Sequence, residues 1–189
     1  CAPLRVARSG DGMILSWPFA EGGSGIIGIG PDGHKRWGEK RGATLLAADG
    51  KYVYGVPAGW HITKDAVIRL DQSTGAYRAF TRGGKELPFE YPLAEMVGRD
   101  DLAPVALAAT DDGLVLLLNA KERKGSADAA SRPTTPPEES LIALVDKETA
   151  RLKVPLVKTA RLTGLAVSRD GEVVDGAGHQ RMDVLGLLR

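Results

Sequence analysis

The sequence predicts an all-β fold: a β-propeller of about four blade-like units, each of them a four-stranded antiparallel sheet. Three observations predict this architecture. A strand, an Asp-Gly turn and a second strand recur four times along the chain. Several strands are apolar at consecutive positions, and no long amphipathic helix separates them.

The composition is that of one globular domain. The chain has 189 residues, 43% of them hydrophobic and 26% charged, which is enough to bury one sizeable core. Its 24 glycines and 11 prolines favour many tight turns. Because the net charge is +1, we expect no dedicated nucleic-acid surface. No apolar run approaches the roughly 20 residues of a membrane-spanning helix, so we expect no transmembrane segment.

The first half of each unit is a hairpin with an Asp-Gly pair in its turn. Glycine adopts a positive φ without a Cβ clash, and aspartate accepts hydrogen bonds from its own turn, so this pair favours hairpins. The four copies are "LRVARSGDGMILSW" (4–17), "ATLLAADGKYVYGV" (43–56), "VALAATDDGLVLLL" (105–118) and "TGLAVSRDGEVVDG" (163–176).

The second half of each unit is a strand, a polar turn and a returning strand. Copies lie at 25–37, 67–80 and 141–154, and the fourth unit stops within its counterpart at 182–189. In "VIRLDQSTGAYRAF", we expect Asp71 and Gly75 to turn the chain. Each unit is therefore predicted to be a four-stranded meander, with approximate unit boundaries at 4–41, 43–82, 105–158 and 163–189.

Two insertions explain why the later Asp-Gly pairs lie farther apart than one blade length. The first covers residues 83–104, in which "PLAEMVG" is predicted to form a helical turn. The second covers residues 120–140 and is rich in Ala, Ser, Thr, Pro and charge. Because this segment has almost no large apolar residue to bury, we expect it to form a mobile excursion between the second and third strands of a blade.

The most apolar strands predict how the sheets pack. "LVLLL" (114–118) and "LIALV" (141–145) are apolar at every position, whereas a strand with one wet face would alternate. A sandwich buries only one face of each sheet, and a parallel α/β sheet needs crossover helices. Sheets that pack radially, each between two neighbouring sheets, bury both of their faces and need no crossover helices.

"GLAVSRDGEVV" together with "VIRLDQSTGAYRAF" resembles the β-propeller repeats of the NHL and PQQ-like (quinoprotein-type) superfamily. The resemblance covers most of the chain outside the insertions and implies a propeller fold, whereas it does not select a function. Some copies depart from the pattern, since Thr149-Ala150 replaces Thr-Gly and "GPDGHKRW" replaces the first such turn. The three tryptophans occupy different places in their units, so no quinone or other cofactor is predicted.

The fourth unit lacks an outer strand, so the sequence predicts an incomplete ring or one that a partner completes. We therefore expect a protein partner or additional propeller blades. An exposed strand edge and apolar sheet faces would favour such association.

The loop "GWHITKD" (59–65) is the candidate ligand-binding segment. It places Trp60, His61, Lys64 and Asp65 between two strands, and an aromatic ring beside a cation and a carboxylate suits a sugar or an anion. The alternative is that Trp60 covers a blade edge while the charges are solvated. No histidine spacing typical of zinc occurs, and neither a metal site nor a catalytic residue is predicted.

Cys1 is the only cysteine, which excludes an intramolecular disulfide. A cysteine at this position is where a mature bacterial lipoprotein carries its lipid anchor. The alternative is that Cys1 is an ordinary residue that carries no lipid. Together with the propeller resemblance, Cys1 predicts an exported bacterial protein of the periplasm or cell surface.

The sequence therefore predicts a non-catalytic β-propeller module for protein–protein or ligand binding, as a subunit or part of a larger assembly. The alternative is a propeller-class enzyme, either a quinoprotein-like oxidoreductase or a metal-dependent lactonase-type hydrolase. Convergent acids, histidines or arginines at the strand starts would indicate the enzyme, and the sequence repeats no such set.

Overall fold

Antiparallel strands make up nearly all the regular structure of the computed structural model, which describes residues 4–20, 23–57, 65–121, 139–167, 172–175 and 181–183. This confirms the all-β class. The first sheet consists, in spatial order, of β1 (Arg5–Ser9), β2 (Gly12–Ala20), β3 (Gly23–Ile29) and β4 (Lys35–Glu39). The second sheet begins with β5 (Ala43–Ala48), β6 (Tyr52–Pro57) and β7 (Ala66–Asp71).

The chain then passes through a short insertion before the third sheet. The insertion contains the hairpin of β8 (Thr81–Arg82) and β9 (Lys85–Glu86), then β10 (Glu90–Pro92) and the helix α1 (Leu93–Val97). The third sheet consists of β11 (Leu102–Ala109), β12 (Leu114–Ala120), β13 (Glu139–Val145) and β14 (Val157–Ala160). The fourth contains β15 (Leu165–Val167), β16 (Glu172–Asp175) and β17 (Arg181–Asp183).

The first sheet is the predicted four-stranded meander, and the strands of the third sheet also pair in sequence order. The outer strand of the third sheet is β14, however, whereas the returning strand predicted within residues 141–154 contributes only an isolated bridge between Val145 and Leu152. The predicted helical turn is confirmed as α1, and the segment at 120–140 does connect the second and third strands of a sheet, since β12 pairs with β13. Residues 122–138, which carry the predicted mobile excursion, lie outside the described residues. None of the helices in the described ranges is long and apolar enough to cross a membrane.

The second sheet takes its fourth strand from a different place than the pattern predicts. Its outer strand is β10, which pairs with β7, whereas residues 76–80 contribute only one isolated bridge between Leu70 and Tyr77. The chain leaves the sheet there because its next residues serve a buried cation: the carbonyl oxygens of Arg78 and Ala79 accept hydrogen bonds from the Arg69 guanidinium. Burial of a charge requires such partners.

The central strands of the second and third sheets are covered on both faces, as the apolar runs predict. Alternate residues of β12 enter two different cores: Leu116 packs with the second sheet, and Leu117 packs toward the fourth. A third core between the first and second sheets includes Ile14, Trp37 and Ile68. Consecutive sheets also meet through their first strands, with β1 against β5, β5 against β11, and β11 against β15.

The polar turns that follow β7 and β13 have the same internal structure. The Asp71 carboxylate accepts the backbone N–H groups of Ser73 and Thr74, both at 3.0 Å, and Asp146 accepts those of the corresponding residues after β13. Hydrogen bonds from the Ser73 hydroxyl first, and then from Thr74, hold the pKa of Asp71 at about 2. Gly75 has a φ of 74°, so the predicted turning role of both residues is confirmed.

The glycines of the Asp-Gly pairs serve a different purpose from the one predicted. None of Gly12, Gly50 and Gly113 has a positive φ. A Cβ at Gly113 would instead lie 2.6 Å from the Val145 carbonyl oxygen, and one at Gly12 would overlap the corresponding carbonyl of β3. Glycine is therefore required in two of these turns because a neighbouring backbone passes too close for a side chain.

Replacing Gly113 with alanine is expected to lower the free energy of unfolding by about 1–3 kcal/mol, because a backbone carbonyl cannot move away cheaply. Gly50→Ala is the matched control, since nothing lies within 4 Å of its Cβ position. We expect it to change stability by no more than about 0.5 kcal/mol. Urea denaturation of both variants measures the difference, and equal losses would contradict this explanation.

Candidate functional site

The predicted ligand-binding segment is described only at its end. Trp60, His61 and Lys64 lie outside the described residues, as does Cys1. Asp65 immediately precedes β7, its carboxylate lies 3.2 Å from the Lys121 ammonium, and its carbonyl oxygen accepts the N–H of Leu93 at 2.8 Å. These contacts tie the second sheet to α1 and to the end of β12. Binding by this segment stays a prediction.

The structure places a cavity of about 420 Å³ where the first strands of three sheets end. Arg8 and Gly10 of the β1–β2 hairpin line one side, residues 48–50 of the β5–β6 turn form the middle, and residues 109–111 of the β11–β12 turn line the other side. The Asp-Gly hairpins thus bring charged and polar groups from three sheets to one place.

Asp49 lines this cavity, but its carboxylate is already engaged in hydrogen bonds and an ion pair within the fold. Its Oδ1 accepts the backbone N–H groups of Lys51 at 2.8 Å and Tyr52 at 2.7 Å. Its Oδ2 accepts the Tyr54 hydroxyl and lies 3.1 Å from the Lys147 ammonium of the third sheet. Burial by itself would raise the pKa of the Asp49 carboxyl, but the two backbone bonds and Lys147 outweigh it and hold the pKa below its ordinary value.

Lys147 joins the turns of the second and third sheets below the cavity. Besides the ion pair with Asp49, its ammonium donates to the Thr110 carbonyl oxygen at 2.8 Å. The Thr110 hydroxyl is likewise committed, since it donates to the Gly113 carbonyl and accepts the Gly113 N–H. These groups hold the cavity in shape and have little hydrogen-bonding capacity left for a ligand.

Two charged groups of the cavity remain available. The Arg8 guanidinium and the Asp111 carboxylate are exposed, and neither forms a hydrogen bond or ion pair with another described residue. They belong to different sheets and have opposite charges. This arrangement offers a cation for a ligand's anionic group and an acceptor for a ligand's donor.

A second cavity of about 310 Å³ adjoins the first and shares Asp49, Gly50 and Asp111 with it. Its other charges compensate one another: Lys51 lies 3.7 Å from Glu148, and Glu148 lies 2.9 Å from the guanidinium of the buried Arg69. Because these pairs connect the second and third sheets, this cavity is part of their interface and offers a ligand fewer free groups than the first.

Sequence reasoning missed the cavity because it assigned the Asp-Gly residues to turns alone. A signal was present, since hairpins that recur at equivalent positions of stacked sheets must gather at one end of those sheets. Nothing in the sequence marks Arg8 or Asp111 individually. Within the described ranges, no three His, Cys, Asp or Glu residues come together in an arrangement that could hold a metal ion.

Comparison with known proteins leaves the family resemblance a prediction. No protein-family model matches the chain, and no curated protein is significantly similar to it.

Proposed function

We propose that this chain is a non-catalytic binding module of the β-propeller type that takes a small polar ligand at the cavity between the first three sheets. The observation that carries the proposal is the pair of unpartnered opposite charges, Arg8 and Asp111, on two sides of this cavity. Around them, Asp49, Thr110 and Lys147 are already held by the fold, so the site is preorganised.

The propeller architecture is part of the proposal and rests on two packing features. The first strands β1, β5, β11 and β15 follow one another as neighbours, as the innermost strands of successive blades do. The central strands of the second and third sheets are buried on both faces. Loops at the ends of such innermost strands lie near the axis, where one ligand can contact several blades.

The chemistry of the site selects the ligand class. A guanidinium binds a carboxylate or phosphate through two parallel hydrogen bonds, and a carboxylate accepts from an ammonium or hydroxyl group. A volume of about 420 Å³ lies within the usual range of small-molecule sites. We therefore propose a small ligand that carries an anionic group at one end and a hydrogen-bond donor at the other.

The test is amide NMR of the protein titrated with glycine, succinate, glucose 6-phosphate and inorganic phosphate. At least one probe should shift the resonances of residues 8–10, 48–50 and 109–111. Arg8→Ala and Asp111→Asn should each weaken that binding about tenfold or more, because a charged hydrogen bond contributes about 1.5–3 kcal/mol. Arg5→Ala is the matched control, since it removes an exposed arginine from the same strand but outside the cavity.

Two results would overturn the proposal. One is the absence of any shift in these turns with all four probes. The other is a stoichiometric metal ion or a quinone absorbance in the purified protein, which would favour the propeller-class enzyme instead.

A further inference from the structure

The two cavities form one cleft with two lobes, since they share Asp49, Gly50 and Asp111. Asp111 lines both the larger lobe of about 420 Å³ and the smaller lobe of about 310 Å³. Arg8 lines the larger lobe alone. A ligand group that binds Asp111 therefore lies where the lobes join, and a group that binds Arg8 lies in the larger lobe.

The charges that line this cleft are equal in number. Among the described residues, the three cations and three anions of the lining are Arg8, Lys51, Lys147, Asp49, Asp111 and Glu148. Asp49 and Lys147 form one ion pair at 3.1 Å, and Lys51 lies 3.7 Å from Glu148. Glu148 also accepts a hydrogen bond from the buried Arg69. One cation and one anion of the lining are left without a partner in the described part of the chain.

The net charge of the ligand follows from what binding does to these two groups. Arg8 and Asp111 are exposed, and a ligand that covers them removes water from both. A charge that loses water without gaining a counterion raises the free energy of the complex. A simple anion would pair with Arg8 and leave Asp111 unpaired, whereas a simple cation would do the reverse. A ligand with one charge of each sign pairs both.

The donor that faces Asp111 is therefore an ammonium group and not a hydroxyl group. Both can donate a hydrogen bond to a carboxylate, but only the ammonium neutralises it. The ion pair adds a Coulomb attraction that a neutral donor lacks, and this attraction strengthens as the ligand displaces water.

We propose that the cleft binds a small zwitterion of the amino-acid class, whose anionic group pairs with Arg8 and whose ammonium pairs with Asp111. This proposal rests on the proposed function, and it specifies the charge of the ligand's donor group. Because Asp111 lines both lobes, a substituent next to the ammonium has room in the smaller lobe.

The test compares amino acids with hydroxy acids of the same length by amide NMR titration of the full chain at neutral pH. The pairs are glycine with glycolate, β-alanine with 3-hydroxypropanoate, and 4-aminobutyrate with 4-hydroxybutyrate, so only the donor changes within a pair. At least one amino acid should shift the resonances of residues 8–10, 48–50 and 109–111 and bind about tenfold more tightly than its hydroxy acid.

Two variants assign the preference to a residue. Asp111→Asn should abolish it, so that both members of the pair bind equally. Arg8→Ala should weaken both members by a similar factor and keep the preference, because the two share the carboxylate. Asp112→Asn is the matched control, since Asp112 is exposed and adjacent in sequence but lies outside both lobes, and it should also keep the preference.

The outcomes separate this proposal from the proposed function. If hydroxy acids bind in these turns as tightly as the amino acids do, the site stands but its ligand is not a zwitterion. A preference for an amino acid that survives Asp111→Asn would also overturn the proposal. If no amino acid, hydroxy acid or inorganic phosphate shifts these turns, the site and its zwitterionic ligand are both wrong.

Discussion

Replacing Arg69 with methionine is expected to lower the free energy of unfolding by about 3 kcal/mol, a large part of the stability of a typical domain. The Arg69 side chain is only 4% exposed. It donates to the Lys147 carbonyl at 2.7 Å, to the Glu148 carboxylate at 2.9 Å and to the carbonyls of Arg78 and Ala79. Methionine would fill much of the space but would leave three backbone carbonyls without this donor.

The loss should be cooperative because Arg69 connects separate parts of the chain. Its guanidinium also stacks on the Tyr52 and Phe80 rings, with centroid distances of 4.4 and 4.9 Å. It therefore joins β7, the segment at 78–80 and the β13–β14 turn of the third sheet. Each ring attracts the guanidinium because the face of an aromatic ring carries a partial negative charge.

Arg78→Met is the matched control for this prediction. It makes the same change at an arginine that is 53% exposed and lies 3.4 Å from the Asp71 carboxylate. An exposed ion pair contributes about 0–1 kcal/mol, so we expect little loss. Urea denaturation monitored by circular dichroism compares the two variants. If both lose the same free energy, burial of Arg69 is not what makes it important.

The sheets were predictable from the sequence because their signal is local and strong. Consecutive apolar residues in "LVLLL" require cover on both faces whatever supplies that cover, and the structure divides Leu116 and Leu117 between two cores. The meander order of the first sheet follows from its short connections, since neighbouring strands joined by a tight turn pair antiparallel. Such features depend on residues close together in the chain.

The outer strand of the second sheet was not predictable because it depends on distant residues. "AYRAF" has the pattern of a strand, but its carbonyls bind Arg69, whose other partners follow β13 in the third sheet. The cavity is a similar case. The sequence indicates only that Asp49 is a turn residue. Its ion pair with the Lys147 ammonium forms because folding brings the second and third sheets together. Sequence patterns record local preferences, whereas both of these features are contacts between sheets.

Replacing Gly75 with alanine is also expected to cost about 3 kcal/mol, for two physical reasons. Its φ of 74° is unfavourable for any residue with a Cβ, at roughly 1–2 kcal/mol. In addition, a Cβ there would lie 2.5 Å from the Trp37 ring, and overpacking typically costs about 1–3 kcal/mol. Trp37 is held in place, because its ring packs so closely on Gly28 that a Cβ there would also lie 2.5 Å from it, and its Nε1–H donates to the Gln72 carbonyl at 2.7 Å.

Gly33→Ala separates the two costs, since Gly33 has a φ of 77° and nothing lies within 4 Å of its Cβ position. That variant should lose only the backbone part, about 1 kcal/mol. The third sheet already shows that alanine is accepted at a positive φ in such a turn: Ala150 has a φ of 54° at the position equivalent to Gly75, and the Arg82 guanidinium donates a hydrogen bond to its carbonyl oxygen. Combining Gly75→Ala with Trp37→Leu should therefore recover part of the loss. If Gly75→Ala costs no more than Gly33→Ala, the Trp37 ring is not what requires glycine in this turn.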